Sequence, residues 1–303
     1  MIVYTNKELL DIKSHDLLER PAVILSNLEN QELALKFMGI EIGANIQDFE
    51  SKHICFESRN QYDYISILIP SFFNLNMEAD SVEFFINKDY LLVLSEGKMI
   101  DKWEKTIMSK IDEEILPAQV LSLLFNHILS QDHDYLDNLE DEIEHLEEKV
   151  TQKKPKNYTA TIIHIRKRIL PMKRYFESIY DLLEEMEENQ NNIFTKDQLK
   201  LFHSNKNKAN RLFNNVLSLR DYLTQVREAY QNQLDISLND TMSFFTVITS
   251  IFLPLTLIAG WYGMNLRMPE FAREIAYPVV IAVSLAYVVV SLTYCKKKDG
   301  FNL

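Results

Sequence analysis

Phe244-Phe245-Thr246-Val247-Ile248-Thr249-Ser250-Ile251-Phe252-Leu253-Pro254-Leu255-Thr256-Leu257-Ile258-Ala259-Gly260-Trp261 is an uncharged run that ends in Tyr262-Gly263-Met264-Asn265. A second uncharged run, Ala276 to Cys295, follows a short polar link. Each is about as long as a helix needs to be to cross a ~30 Å hydrocarbon core. The two therefore read as a transmembrane hairpin. Lys296-Lys297-Lys298 directly follows the second run, whereas the link balances Arg267 and Arg273 against Glu270 and Glu274. The basic flank places the C-terminus in the cytoplasm, and two spans place the N-terminus there too.

Working back from the hairpin, Thr195 is a good N-cap, and no helix breaker occurs from there to Pro254. A helix from Thr195 to Trp261 would hold 67 residues and reach on the order of 100 Å, a rod too long for a globular domain to enclose. Glycine is missing between Gly97 and Gly260, as expected of a region of long helices. Leu116 to Gln152 and Thr159 to Asn189, separated by Lys153-Lys154-Pro155-Lys156-Asn157, read as an antiparallel helical hairpin. Upstream, Ala22 to Leu25, His53 to Phe56, Tyr64 to Ile69, Val82 to Asn87 and Tyr90 to Leu94 read as strands. Asn87-Lys88-Asp89 suits a hairpin turn, and Glu29 to Met38 suits a helix closed by Gly39. A small α/β domain with a largely antiparallel or mixed sheet is expected.

The fold class is therefore an α+β/α membrane protein. An N-terminal cytoplasmic α/β domain (1–97) leads into a helical part with an acidic hairpin (98–194). A stalk helix (195–243) continues into the first transmembrane helix (244–263). An external loop (264–275), a second transmembrane helix (276–295) and a basic cytoplasmic tail (296–303) complete the chain.

The formal charge of -12 argues against nucleic acid as a partner, because phosphate neutralisation needs a basic surface, and favours cations. Two cysteines, Cys55 and Cys295, rule out a disulfide framework. The N-terminus lacks the layout of a cleaved signal, in keeping with a cytoplasmic soluble part. No phosphate loop, nucleophile elbow or zinc-ligand spacing suggests an enzyme. Nine carboxylates between Asp132 and Glu148, and six between Glu177 and Glu188, form either a solvated acidic face or a reservoir that concentrates divalent cations. His133 and Asp137 share a helix face but lack a third convergent ligand.

Along the rod, Glu228, Asp235, Met242, Thr249, Thr256 and Gly263 recur every seven residues, with Asn232, Asn239, Thr246, Leu253 and Gly260 as a companion series. The stripe is polar or small, whereas Phe244, Ile248, Ile251, Phe252, Leu255 and Ile258 occupy the other faces. A packing seam would use such residues too. Oxygen-bearing side chains spread through the whole membrane thickness favour a wetted lumen formed by copies of the helix facing one another.

Tyr262-Gly263-Met264-Asn265, closing the first of two C-terminal spans and followed by Met268-Pro269-Glu270, resembles the signature of the CorA family of magnesium channels. The close resemblance covers about the last 65 residues, and the upstream parts agree in order and size. It implies a homopentamer in the inner cell membrane, passing Mg2+ passively and closed by cytoplasmic Mg2+, with no cofactor beyond the ion. It makes Gly263, Met264 and Asn265 the selectivity filter, Asn265 acting through the hydration shell. It makes Asn239, Met242, Phe245, Thr249, Leu253, Thr256 and Gly260 the lining, with Phe245 where the seven-residue count prefers Thr246. Glu228 and Asp235 are the expected inner cation contacts. Around His203-Ser204 this chain lacks an acid, so the family's sensing carboxylates are not carried over. Co2+, Ni2+ or Zn2+ transport within the superfamily is the nearest alternative, and a membrane-anchored sensor or scaffold is the alternative from another class.

Overall fold

The computed structural model describes residues 2–5, 9–11, 21–40, 53–72, 79–108, 116–151, 157–264 and 275–299. By contact the chain divides into two units, Met1–Arg227 and Glu228–Leu303.

In the first unit, seven strands form one mixed sheet: β1 (Ile2–Thr5), β2 (Leu9–Asp11), β3 (Ala22–Asn27), β4 (Cys55–Arg59), β5 (Tyr62–Ile69), β6 (Asp80–Ile86) and β7 (Tyr90–Ser95). Their spatial order is β2-β1-β3-β7-β6-β5-β4. Every neighbouring pair is antiparallel except β3 and β7, which run parallel with Ile24 opposite Leu92. The strands expected from Ala22 onward are present. The strands β1 and β2 precede them: Ile2-Val3-Tyr4-Thr5 is β-favouring, and Leu9–Asp11 pairs with it to extend the sheet at one edge.

Both sheet faces are covered, which is why the central strands read as continuous apolar runs. On one face Ala22, Ile24, Phe85, Leu92 and Leu94 pack with Ala34, Leu35 and Met38 from α1 (Gln31–Phe37) and its C-cap. Gly39, at φ +73, ends α1: the Gly39 amide donates to the Lys36 carbonyl and the Ile40 amide to the Leu35 carbonyl, a Schellman closure. On the other face Phe84 stacks on Trp103 of α2 (Gly97–Met108), centroids 5.6 Å apart, and on Phe125 of α3 (Pro117–Val150) at 6.1 Å. In the β6–β7 turn the Asn87 side-chain oxygen accepts from the Asp89 and Tyr90 amides.

α3 and α4 (Thr159–Glu187) bury Leu136, Leu139, Ile143, Leu146 and Val150 together with Ile162, Ile165, Ile169, Met172 and Phe176, the stripes their three- and four-residue spacing dictates. The buried Arg168 joins them: its Nε donates to Tyr135 Oη at 2.7 Å and its Nη1 to both Glu142 oxygens at 2.7 and 2.5 Å. Tyr135 in turn donates to the Phe72 carbonyl.

α5 (Lys196–Tyr262) starts with a capping box, the Gln198 amide donating to Thr195 Oγ1 and the Thr195 amide to Gln198 Oε1. Its Phe202, Ala209, Leu212, Val216, Leu219, Leu223 and Val226 are buried at the heptad spacing of a packed stripe. Asn205 falls within that series and donates to the Ser122 carbonyl and hydroxyl, both at 2.9 Å.

The turn from α4 to α5 uses Asn189 and Asn192 at φ 49 and 51, the left-handed region that asparagine tolerates better than other non-glycine residues. Asn191, between them, donates to the Arg59 carbonyl at 2.5 Å and to Asp63 Oδ1 at 2.8 Å. Asp63 is fully buried, and burial pushes its carboxyl up from the ordinary range.

In the second unit α6 (Ala276–Asp299) lies against α5. Half-buried Val247, Ile248, Ile251, Pro254, Leu255 and Ile258 occupy one face of α5, and half-buried Val280, Ser284, Tyr287, Val288 and Ser291 one face of α6. Pro254 has no amide hydrogen for the Ser250 carbonyl four residues back. Tyr287 Oη supplies the donor, 3.0 Å from that oxygen.

Two outcomes follow from these contacts. Tyr287→Phe leaves the Ser250 carbonyl without a donor and lowers the thermal stability of the hairpin in detergent by about 1–3 kcal/mol; unchanged melting would deny the bond its role. Tyr222 Oη donates to Glu147 Oε2 at 2.6 Å, and that carboxylate pushes the phenol up to about 12. A raised phenol stabilises the fold fully below its ordinary value near 10 and loses that contribution as pH rises through about 12. Denaturant midpoints measured from pH 8 to 12 should therefore fall less steeply in Tyr222→Phe than in the native chain.

Candidate functional site

The face of α5 opposite its α6 contacts is open. At 100° per residue, Ile251, Leu255 and Ile258 lie half a turn around the helix from Met242, Thr249, Leu253, Thr256 and Gly260. All five of these are exposed, Met242 at 67% and Leu253 at 69% among them. Glu228, Asp235 and Asn239 continue the exposed face below. The seven-residue series is thus exposed in a single chain, as are Phe252 and Leu257 on its flanks, so exposure marks the whole side of α5 away from α6. Phe245 and Thr246 flank its midline and are both exposed, so a single chain presents both.

The upper part of the stripe lines an open groove of about 670 Å³ formed by Thr249, Phe252, Leu253, Thr256, Leu257, Gly260, Trp261 and Met264. Phe252, Leu257, Trp261 and Met264 lie outside both seven-residue series, and Phe252 lines this groove rather than another face as its position in the count suggested.

The threonine hydroxyls are oriented by the helix itself. Thr246 Oγ1 donates to the Met242 carbonyl at 2.8 Å, Thr249 Oγ1 to the Phe245 carbonyl at 2.9 Å, and Thr256 Oγ1 to the Phe252 carbonyl at 2.8 Å. A carbonyl can only accept, so each hydroxyl hydrogen is committed to the backbone. What each threonine can still offer outward is an acceptor lone pair beside a methyl group. The stripe therefore offers oxygen acceptors without a formal charge between Asn239 and Gly260.

At the helix end the Gly263 amide donates to the Ala259 carbonyl at 2.8 Å. A Cβ on Gly263 would stand 2.9 Å from that same oxygen, too close for any real side chain without a backbone shift. Glycine is required here by its own helix, a reason that the sequence pattern did not supply. Met264 is half exposed. Asn265 lies outside the described residues, as does most of the link 264–275.

The remaining candidates are not assembled into a site. His133 Nδ1 lies 3.3 Å from Asp137 Oδ2, both exposed, and no third ligand joins them. Among the described residues no group of three or more His, Cys, Asp or Glu side chains could hold a metal ion. The carboxylates of α3 and α4 face mostly outward, Glu142 and Glu187 being engaged by Arg168, His203 and Lys206. The functional residue missed from sequence is Tyr287, and the signal for it was Pro254, whose missing amide implies an outside donor for Ser250.

Both α5 and α6 contain segments long and apolar enough to cross a membrane. The profile of a family described as "CorA-like Mg2+ transporter protein" matches residues 36–297. The chain is 27% identical over 252 residues to the cobalt/magnesium transport protein CorA of Thermotoga maritima, covering 78% of this chain and 70% of that protein. It is 24% identical over 251 residues to the cobalt/magnesium transport protein CorA of Methanocaldococcus jannaschii, covering 78% and 77%. The complete structure of the CorA magnesium transporter from Methanocaldococcus jannaschii superposes with a TM-score of 0.81 at 21% identity, covering 98% of this chain and 97% of that one. With its profile matched over most of its length and its whole fold shared, the chain belongs to the CorA-like Mg2+ transporter family.

Proposed function

We propose that this protein is a divalent-cation channel in which copies of α5 face one another and the stripe from Asn239 to Gly260 lines the path. The observation that carries the reading is the stripe on the side of α5 turned away from α6, whose threonines present acceptors only. A bound cation turns its waters so that their hydrogens point outward, and a wall that receives them must accept hydrogen bonds. Thr249 and Thr256, with their hydroxyl hydrogens held by the backbone, do so. Mg2+ dehydrates reluctantly and usually keeps several waters, so it suits such a wall. The Asn265 carboxamide would meet the same shell at the outer end, as the filter with Gly263 and Met264.

Five copies is the number the family resemblance supports, and the membrane potential suffices as a driving force. A divalent ion crossing ~100 mV gains about 4.6 kcal/mol, twice the ~2.3 kcal/mol of a single charge. Met242 and Leu253, large apolar rings in such an assembly, would close the path by dewetting. Glu228 and Asp235 would meet the ion on the inner side, where cytoplasmic Mg2+ acts as the closing signal. Relatives named as cobalt/magnesium transport proteins favour Co2+ as a second substrate.

Flux into liposomes under equal gradients of Mg2+, Co2+, Ni2+ and Zn2+ tests the reading. Asn265→Ala should abolish Mg2+ influx while assembly is unchanged. Thr249→Val with Thr256→Val replaces each hydroxyl by a methyl of similar shape, and should slow Mg2+ influx on the order of tenfold, about 1.4 kcal/mol in the barrier. Vesicles that pass no divalent ion with the native protein would return the chain to the sensor or scaffold reading. Normal flux in the double valine variant would dismiss the acceptor wall alone.

A further inference from the structure

Ser250 occupies the border between the two faces of α5. At 100° per residue it stands about 40° around the helix from Pro254, on the α6 side, and about 60° from Leu253, on the open side. Leu253 is exposed and Pro254 half-buried. In an unbroken helix the amide of residue 254 would donate to the Ser250 carbonyl, and Pro254 has no hydrogen to give. Its border position therefore leaves that carbonyl two sources of a donor. One is the Tyr287 hydroxyl of α6, which holds it at 3.0 Å; the other is water on the open side.

The turns above and below have no such choice. There Thr246, Thr249 and Thr256 add hydroxyl donors of α5 itself to the carbonyls of Met242, Phe245 and Phe252. At Ser250 the backbone of α5 is held from another helix. The turn that begins at Ser250 carries Leu253 into the groove lined also by Thr249, Thr256 and Gly260. A helix carbonyl bonded to a donor outside its own ladder tilts toward that donor and bends the helix locally. Whichever donor holds Ser250 thus sets how far Leu253 reaches over the open face.

We propose that Tyr287 is a positioning residue for conduction: its hydroxyl holds the Ser250 carbonyl toward α6 and so keeps the Leu253 turn drawn back from the ion path. Within the hydrocarbon region a backbone carbonyl does not stay without a donor. When the phenol is removed, the carbonyl takes its hydrogen from water on the open side, and the turn follows. Leu253, an apolar group, then leans into the path and expels the water that a hydrated ion needs. Tyr287 touches no ion and acts through one backbone bond. This role rests on the channel proposed above, and it gives α6, which lies outside the path, a part in setting the width of that path.

The test compares full-length chains in liposomes: native, Tyr287→Phe, Pro254→Ala and the two substitutions together. Tyr287→Phe should lower maximal Mg2+ influx on the order of tenfold, with the Mg2+ concentration at half-maximal influx unchanged, because the outer end of the path is untouched. Pro254→Ala returns an amide hydrogen to the Ser250 carbonyl, so adding Tyr287→Phe to it should change nothing further. A loss of helix packing alone would lower influx by the same factor in both backgrounds. A second readout follows the turn itself, whether or not a chain conducts: the rate at which Leu253→Cys, in a chain with Cys55 and Cys295 replaced by serine, reacts with a charged thiol reagent. That rate should rise with Tyr287→Phe in the native background and stay constant in the Pro254→Ala background, and it decides the comparison where Pro254→Ala by itself conducts too slowly to measure. Influx that Tyr287→Phe leaves unchanged, or equal effects in the two backgrounds, overturns this role of Tyr287 and leaves the channel standing. A native chain that passes no divalent ion overturns both.

Discussion

In hydrocarbon no water is available to complete a hydrogen bond, so every polar group of α5 must find its partner on the helix, on α6 or in a wetted space. That single demand organises the membrane unit. The threonine hydroxyls satisfy it by donating to carbonyls three or four residues back. Pro254 breaks the ladder at one point, and Tyr287 of α6 repairs it at the Ser250 carbonyl. With those donors committed, the threonines leave only acceptor oxygens on the exposed stripe. The outward chemistry of the threonines is in this sense a by-product of how a polar helix survives in lipid.

The same helix serves the first unit by a different rule. There its buried stripe of Ala209, Leu212, Val216, Leu219, Leu223 and Val226 is apolar, because water on the outside supplies partners for everything else. The capping box at Thr195, the two left-handed asparagines and the Asn191 contact to Asp63 fix where that helix begins relative to the sheet. In the first unit apolar residues mark the buried face of α5, and in the membrane unit polar and small residues run along the open one.

Much of this was legible in the amino-acid order. The long helices declared themselves by apolar spacing and by the missing glycines, and the seven-residue stripe keeps its phase because no breaker shifts it before Pro254. Asn87 and Gly39 announced their turns by side-chain and backbone chemistry. The strands β1 and β2 were not recognised, because pairing across the sheet, rather than length or alternation, makes such short pieces into strands. α2 was not delimited, although Ile100, Trp103 and Ile107 recur at helical spacing and are buried; what Trp103 packs on, Phe84 of a distant strand, is not contained in that spacing. The orientation of the threonine hydroxyls and the repair by Tyr287 depend on distances, which no spacing rule contains. Gly263 entered through the resemblance alone, and what requires a glycine there is a distance, the Ala259 carbonyl of its own helix 2.9 Å from where a Cβ would stand.

The central claim is that one face of α5 is wet and the other is not. It is tested most directly by placing single cysteines at each position from Asn239 to Gly260, in a chain with Cys55 and Cys295 replaced by serine, and measuring their reaction with a charged, membrane-impermeant thiol reagent in sealed vesicles. The account predicts reactivity peaking at Asn239, Met242, Thr249, Leu253, Thr256 and Gly260 and protection at Ile248, Ile251, Leu255 and Ile258. Uniform protection through the span, or reactivity on the Ile251 face, would contradict it.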